Sequence, residues 1–203
     1  MITRARLADR AGYSLMEIML VVALTGVITA IAIPMMGNQL GFYRLSGDAR
    51  SISNSMALAK MRAASVFGRV RVRFDLPGRN YHLETWNSAT NTWDPVAGNG
   101  TTYLSQGVNF NWLPVTIAPP STQAVIKEAA ICKDPAGNDI PNTSCVIFNS
   151  RGIPIDSSAT PQPLVDAMYI TDGSAVYGVT VSATGMVRTW KTPPTYSPQW
   201  ATQ

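Results

Sequence analysis

Charge and chemistry-bearing residues are scarce in this chain. Of 203 residues only 14% are charged, and 46% belong to the hydrophobic set. That balance excludes an intrinsically disordered chain, which needs few apolar groups and much charge. The single histidine, His82, excludes any site built on two histidines. Two cysteines, Cys132 and Cys145, cannot by themselves complete a structural zinc site or hold an iron–sulfur cluster. The sequence has no GxxxxGK[ST], no GxSxG, no HExxH and no EF-hand spacing. Its 14 prolines and 15 glycines follow no period, so a collagen-like chain is excluded. No metal and no cofactor is expected, and neither is an enzyme.

The hydrophobic residues are concentrated near the N-terminus. Arg4, Arg6, Asp9 and Arg10 precede 26 residues without a charge, from Ile18 to Tyr43. About 20 apolar residues suffice to cross a bilayer as a helix. The basic flank should stay in the cytoplasm, which places the rest of the chain on the far side of the membrane. Three processing schemes are open. A cleaved signal peptide has Ala30-Ile31-Ala32 as its cutting site, but no polar spacer precedes it and Pro34 lies almost on the cut. A plain anchor explains the hydropathy but not Glu17 at the start of the apolar run. A carboxylate inside a membrane helix costs about 2.5–3.5 kcal/mol at the centre, and less near an end. At an interface Glu17 would also favour the positive end of the helix.

The third scheme rests on Gly12-Tyr13-Ser14-Leu15-Met16-Glu17, followed at once by the apolar run. This segment resembles the leader of the type IV pilin and pseudopilin class. The resemblance implies peptidase cleavage between Gly12 and Tyr13 and methylation of the new amine of Tyr13. Glu17 then becomes the fifth mature residue and Pro34 the twenty-second, where the class carries a glutamate and often a kinking proline. Tyr13 and Ser14 depart mildly from the usual Phe and Thr. In the class, the glutamate pairs with the N-terminal amine of a neighbouring subunit. The expected partners are therefore other pilin or pseudopilin subunits, a prepilin peptidase, an inner-membrane assembly platform and membrane lipid. The expected location is the bacterial inner membrane, crossed once with the N-terminus cytoplasmic, and then the filament.

Beyond the apolar run, Leu45, Ala49, Ile52, Met56, Ala59, Ala63 and Val66 recur at +4 and +3 spacing, one face of a helix. A long helix is thus expected over 13–67, with a kink or melted segment in a filament near Pro34, between about 34 and 41. Arg69-Val70-Arg71-Val72-Arg73-Phe74 alternates strictly, a strand with one apolar and one basic face. Pro77-Gly78-Arg79-Asn80 reads as a turn and Tyr81 to Trp86 as the return strand. Residues 87–101 read as loop. Further strands are expected at Gly107–Trp112, Ala124–Ile131, Cys145–Asn149, Ala167–Thr171, Ala175–Ser182 and Met186–Lys191. The expected fold is α+β: a leader over 1–12, the long helix, a mostly antiparallel sheet domain over 68–191 and a flexible tail over 192–203.

That element order resembles the GspH/FimT branch of the class. Phe148-Asn149-Ser150-Arg151-Gly152 and Gly185-Met186-Val187-Arg188 resemble two of its later elements. Cys132 and Cys145 flank a polar, turn-rich loop outside the cytoplasm, where a disulfide between them would persist.

Charge is uneven. Residues 13–79 carry a net +5 and residues 80–203 a net −3. The basic first part suits complementary packing between subunits, anionic headgroups or DNA phosphates. The FimT-like competence pilins bind DNA through a basic C-terminal motif resembling Gly-Arg-x-Arg. Here Met186 stands where its first Arg would be, and Arg188, Trp190 and Lys191 form the corresponding candidate patch. Two alternatives to a structural subunit are therefore a DNA-uptake pilin and a membrane-anchored enzyme. Glu84, Asp94 and His82 read as solvated residues rather than catalysts.

Overall fold

The computed structural model describes residues 13–161 and 165–203, so the expected leader and its Gly12 lie outside the described residues. The first element is a single helix, α1, Leu15–Ser65. Two compact units divide it, one ending at Leu40 and the other running Gly41–Gln203.

In the first unit, Leu15–Ala32 has a mean hydropathy of 2.3 and none of it is buried within the chain. Its two threonines hide their hydroxyls: Thr25 Oγ1 donates to Val21 O at 2.8 Å and Thr29 Oγ1 to Thr25 O at 2.7 Å. This segment is long and apolar enough to cross a membrane.

The second unit begins with the rest of α1. Leu45, Ala49, Ile52, Met56, Ala59 and Ala63 are fully buried, as their spacing predicts. Val66 is not: it is 40% exposed, because the helix stops at Ser65. Strands β1 (Val70–Asp75) and β2 (Asn80–Asn87) follow as an antiparallel hairpin. Then come β3 (Thr92–Pro95), β4 (Thr102–Tyr103), β5 (Asn109–Phe110), β6 (Thr143–Phe148) and β7 (Pro154–Ile155). Last are β8 (Asp166–Thr171), β9 (Val176–Val181), β10 (Val187–Thr192) and β11 (Ala201–Thr202).

These make two sheets rather than one. The first has the order β3-β2-β1-β6-β7, with β4 also on β2; the second is β11-β10-β9-β8-β5. Every pairing between these strands is antiparallel. The helix stripe explains the division. Val70, Val72, Phe74 and Phe148 of one sheet and Met168, Ile170, Val179 and Val181 of the other share a single apolar cluster with it.

Four expectations need correction. Ala124–Ile131 is not a strand. Its backbone bonds go singly to both sheets: Ala129 N donates to Ala167 O at 2.7 Å, and Ala130 O accepts from Cys145 N at 2.8 Å. It therefore bridges β8 and β6. Only Asn109 and Phe110 of Gly107–Trp112 join a ladder. The loop over 87–101 contains β3, held by the Trp86–Trp93 pair at 5.2 Å. The tail ends in a strand, since Thr202 pairs with Trp190, and Trp200 lies 6.1 Å from Tyr169.

Candidate functional site

The residues expected to govern assembly sit on the exposed stem. Glu17 is in the first turn of α1, and its N–H donates to Ser14 O at 3.0 Å. It is the only charge in Leu15–Ala32. Tyr13 is 81% exposed, and Pro34 falls within α1. Side chains such as Leu20, Val22, Leu24 and Ile31 are more than half exposed. This much uncovered apolar surface requires lipid or other apolar helices around it.

The basic face of β1 is not a free surface. Arg71 is 2% exposed, and its Nε donates to Glu84 Oε2 across the hairpin. Its Nη1 donates to Lys133 O at 2.8 Å, and its guanidinium lies 4.2 Å from the Trp93 ring centre. Arg73 and His82 also reach Glu84 Oε1, at 3.5 and 3.1 Å. The expectation of a solvated Glu84 is therefore corrected: the residue is only 4% exposed. Burial alone would raise its pKa; the His82 hydrogen bond and then the Arg71 charge bring it below the ordinary value. The signal missed in the sequence is Trp93, which covers this face from β3.

The disulfide between Cys132 and Cys145 is formed. It packs with Ile147 and Ile155 on the same outer face of the first sheet. The loop it closes carries the Lys133 carbonyl that Arg71 uses.

Arg188, Trp190 and Lys191 do not make one patch. Trp190 is 6% exposed, and its Nε1 donates to Thr180 Oγ1 at 2.9 Å. Arg188 is exposed, with Nε 3.3 Å from Met186 Sδ. Lys191 projects to the other side of β10, 4.2 Å from the Phe42 ring centre. A buried indole offers no base a stacking surface.

The two later motifs do meet. Lys60 Nζ on α1 donates to Gly185 O at 2.9 Å, and its methylenes lie where a side chain at Gly152 would go. A Cβ at Gly185 would collide with the backbone carbonyl of Gly152. Both glycines have positive φ, 73° and 76°. These turns are therefore docked through one lysine, and each needs glycine for space as well as conformation.

A long apolar-headed helix whose second half is buried by antiparallel sheet is the arrangement expected of the type IV pilin and pseudopilin class. Over 181 residues it is 28% identical to the pilin-like protein PilA1 of Thermus thermophilus, covering 88% of this chain and 97% of that protein. No family model matches the chain. Two structures of the minor pseudopilin EpsH from the Vibrio cholerae type II secretion system are similar at 14% and 15% identity. They cover 77% and 72% of this chain and 95% and 94% of those chains, each with a TM-score of 0.44.

Proposed function

We propose that the protein is a minor pilin or pseudopilin of the GspH/FimT kind. It is made as a precursor in the inner membrane, with its N-terminus cytoplasmic and the sheet domain periplasmic. A prepilin peptidase hydrolyses the Gly12–Tyr13 amide, and the freed amine of Tyr13 is methylated. With an assembly platform, the subunit then leaves the lipid and enters a type IV pilus or type II secretion pseudopilus.

One observation carries this reading. The stem Leu15–Ala32 is uncovered, apolar and interrupted by one carboxylate, five positions after Gly12. In an apolar bundle an unpaired Glu17 is costly, and the amine of a neighbouring Tyr13 relieves that cost. Glu17 thereby selects correctly docked subunits instead of adding much net stability. The full-length likeness to a pilin-like protein supports the same role, which is structural and not enzymatic. DNA uptake through Arg188, Trp190 and Lys191 is not favoured, because Trp190 is buried and Lys191 faces away from Arg188.

The test is the N-terminus and intact mass of the membrane-extracted protein, read by mass spectrometry. A chain beginning at N-methylated Tyr13 is expected. A start at Ile33, or an intact Met1, would overturn the proposal.

A further inference from the structure

Strand β1 turns Val70, Val72 and Phe74 toward α1, so Arg71 points the other way. On that outer side lies a cleft of about 400 Å³. Small-molecule sites span about 300–1,000 Å³. Trp86, Trp93 and Ile147 give the cleft an apolar wall, and its charges are Arg69, Arg71, Lys133 and Asp134. All of these belong to the unit Gly41–Gln203.

Two of the three cations are matched. Arg71 pairs with Glu84, and Lys133 Nζ with Asp139 Oδ1 at 2.7 Å. Arg69 is not matched. Its guanidinium stacks 4.4 Å from the Trp86 ring centre and has no ion pair or hydrogen bond among the described residues. Arg71 also keeps one donor free. Its Nε and Nη1 are bonded, but Nη2 has no partner among the described residues. The sealed nitrogens without a partner are Arg73 Nε and His82 Nδ1, so Arg71 Nη2 opens onto the cleft. Arg71 is 2% exposed, and a donor on so buried a charge is costly to leave unmade. Guanidinium donors bond best to an oxyanion, and their fork matches a carboxylate.

Asp134 decides which oxyanion. Its carboxylate accepts from Asn138 N and Nδ2 at 2.8 and 3.0 Å, which holds its carboxyl below the ordinary range and keeps it charged. No cation pairs with it among the described residues. A phosphomonoester carries about −1.5 to −2 charge at pH 7 and would be repelled. A DNA backbone brings a row of charges and no free hydroxyl. A ligand with one negative charge and several hydroxyls meets both demands, because each carboxylate oxygen has a second lone pair that accepts a hydroxyl. Ser157 and Ser158 line the cleft too, and their exposed hydroxyls have no bonded partner among the described residues. The C–H face of a sugar ring suits the indole wall.

We propose that this cleft binds an acidic sugar, a pyranose bearing one carboxylate. Arg69 and Arg71 hold the carboxylate, and a ring hydroxyl donates to Asp134. The site lies wholly in the sheet domain, so it stands or falls separately from the filament reading.

The test is a titration of the full chain, solubilised in a detergent without a sugar headgroup, followed by tryptophan fluorescence and calorimetry. D-Glucuronate is expected to bind, with D-glucose and inorganic phosphate each at least about tenfold weaker. Arg69→Gln should weaken glucuronate by at least about tenfold. That guanidinium bonds nothing within the fold, so the variant stays folded. Asp134→Asn should strengthen phosphate binding, which a merely misfolded chain would not do. Methyl glucuronide separates two sources of the same chemistry: binding equal to glucuronate assigns a unit of a polysaccharide, and its loss assigns the free sugar acid. Glucose, phosphate or a thymidylate oligonucleotide bound as tightly as glucuronate would overturn the site. So would an unchanged affinity in Arg69→Gln, unchanged phosphate binding in Asp134→Asn, or no glucuronate binding at millimolar concentration.

Discussion

Arg71 shows how far one residue can depart from its pattern. Alternation puts it on the polar side of β1, yet it is buried against Glu84, Trp93 and the Lys133 carbonyl. A buried ion pair adds little over an apolar pair of similar size, but breaking one side of it is costly. Arg71→Ala should therefore destabilise the protein by about 3–5 kcal/mol, because it strands a buried carboxylate. Replacing Arg71 by Met and Glu84 by Leu together should cost less than Arg71→Ala alone. Denaturant titration of the detergent-solubilised full chain measures both. Equal losses would mean that Arg73 and His82 suffice to hold Glu84. The strict alternation was legible from the sequence. The burial was not, because Trp93 and Lys133 arrive from separate later segments.

Among the elements, the disulfide loop joins two features that look independent along the chain. Cys132 and Cys145 are 13 residues apart. Closing a loop of that size removes chain entropy worth about 3 kcal/mol from the unfolded state. Cys132→Ser with Cys145→Ser should lower stability by about that amount in the same titration. The loss should be smaller when Arg71 is already replaced by Met and Glu84 by Leu, since Arg71 bonds the loop's Lys133 carbonyl. Strictly additive losses would show that the loop and the ion pair are energetically separate. The bridging segment 124–131 makes a related point. It reads as a strand by composition, but its hydrogen bonds are shared one by one between two sheets, so no ladder forms.

For the whole molecule, the stem and the sheet domain divide the work. The stem is long and apolar enough to cross a membrane, and on the proposed reading Glu17 selects where the chain leaves it. Glu17→Ala removes a charge and adds apolar surface, so the chain should remain fully in the membrane fraction. It should also be strongly depleted from sheared filaments, as read by immunoblot of the two fractions. Entry at the wild-type level would show that the carboxylate selects nothing.

Several features were settled by the sequence alone. The apolar run is a matter of local composition, and helix formation satisfies its backbone without help from distant residues. The stripe from Leu45 to Ala63 follows from a 3.6-residue period. The β1–β2 hairpin follows from alternation around a Pro-Gly turn, and two cysteines leave one intramolecular pairing. Tertiary structure decided the rest: two sheets instead of one, the burial of Arg71 and Trp190, the paired tail, and the meeting of Gly152 with Gly185 on Lys60. The physical reason is the same in each case. A period separates the two faces of an element, but when both faces are covered, only contacts between distant segments determine what lies on each.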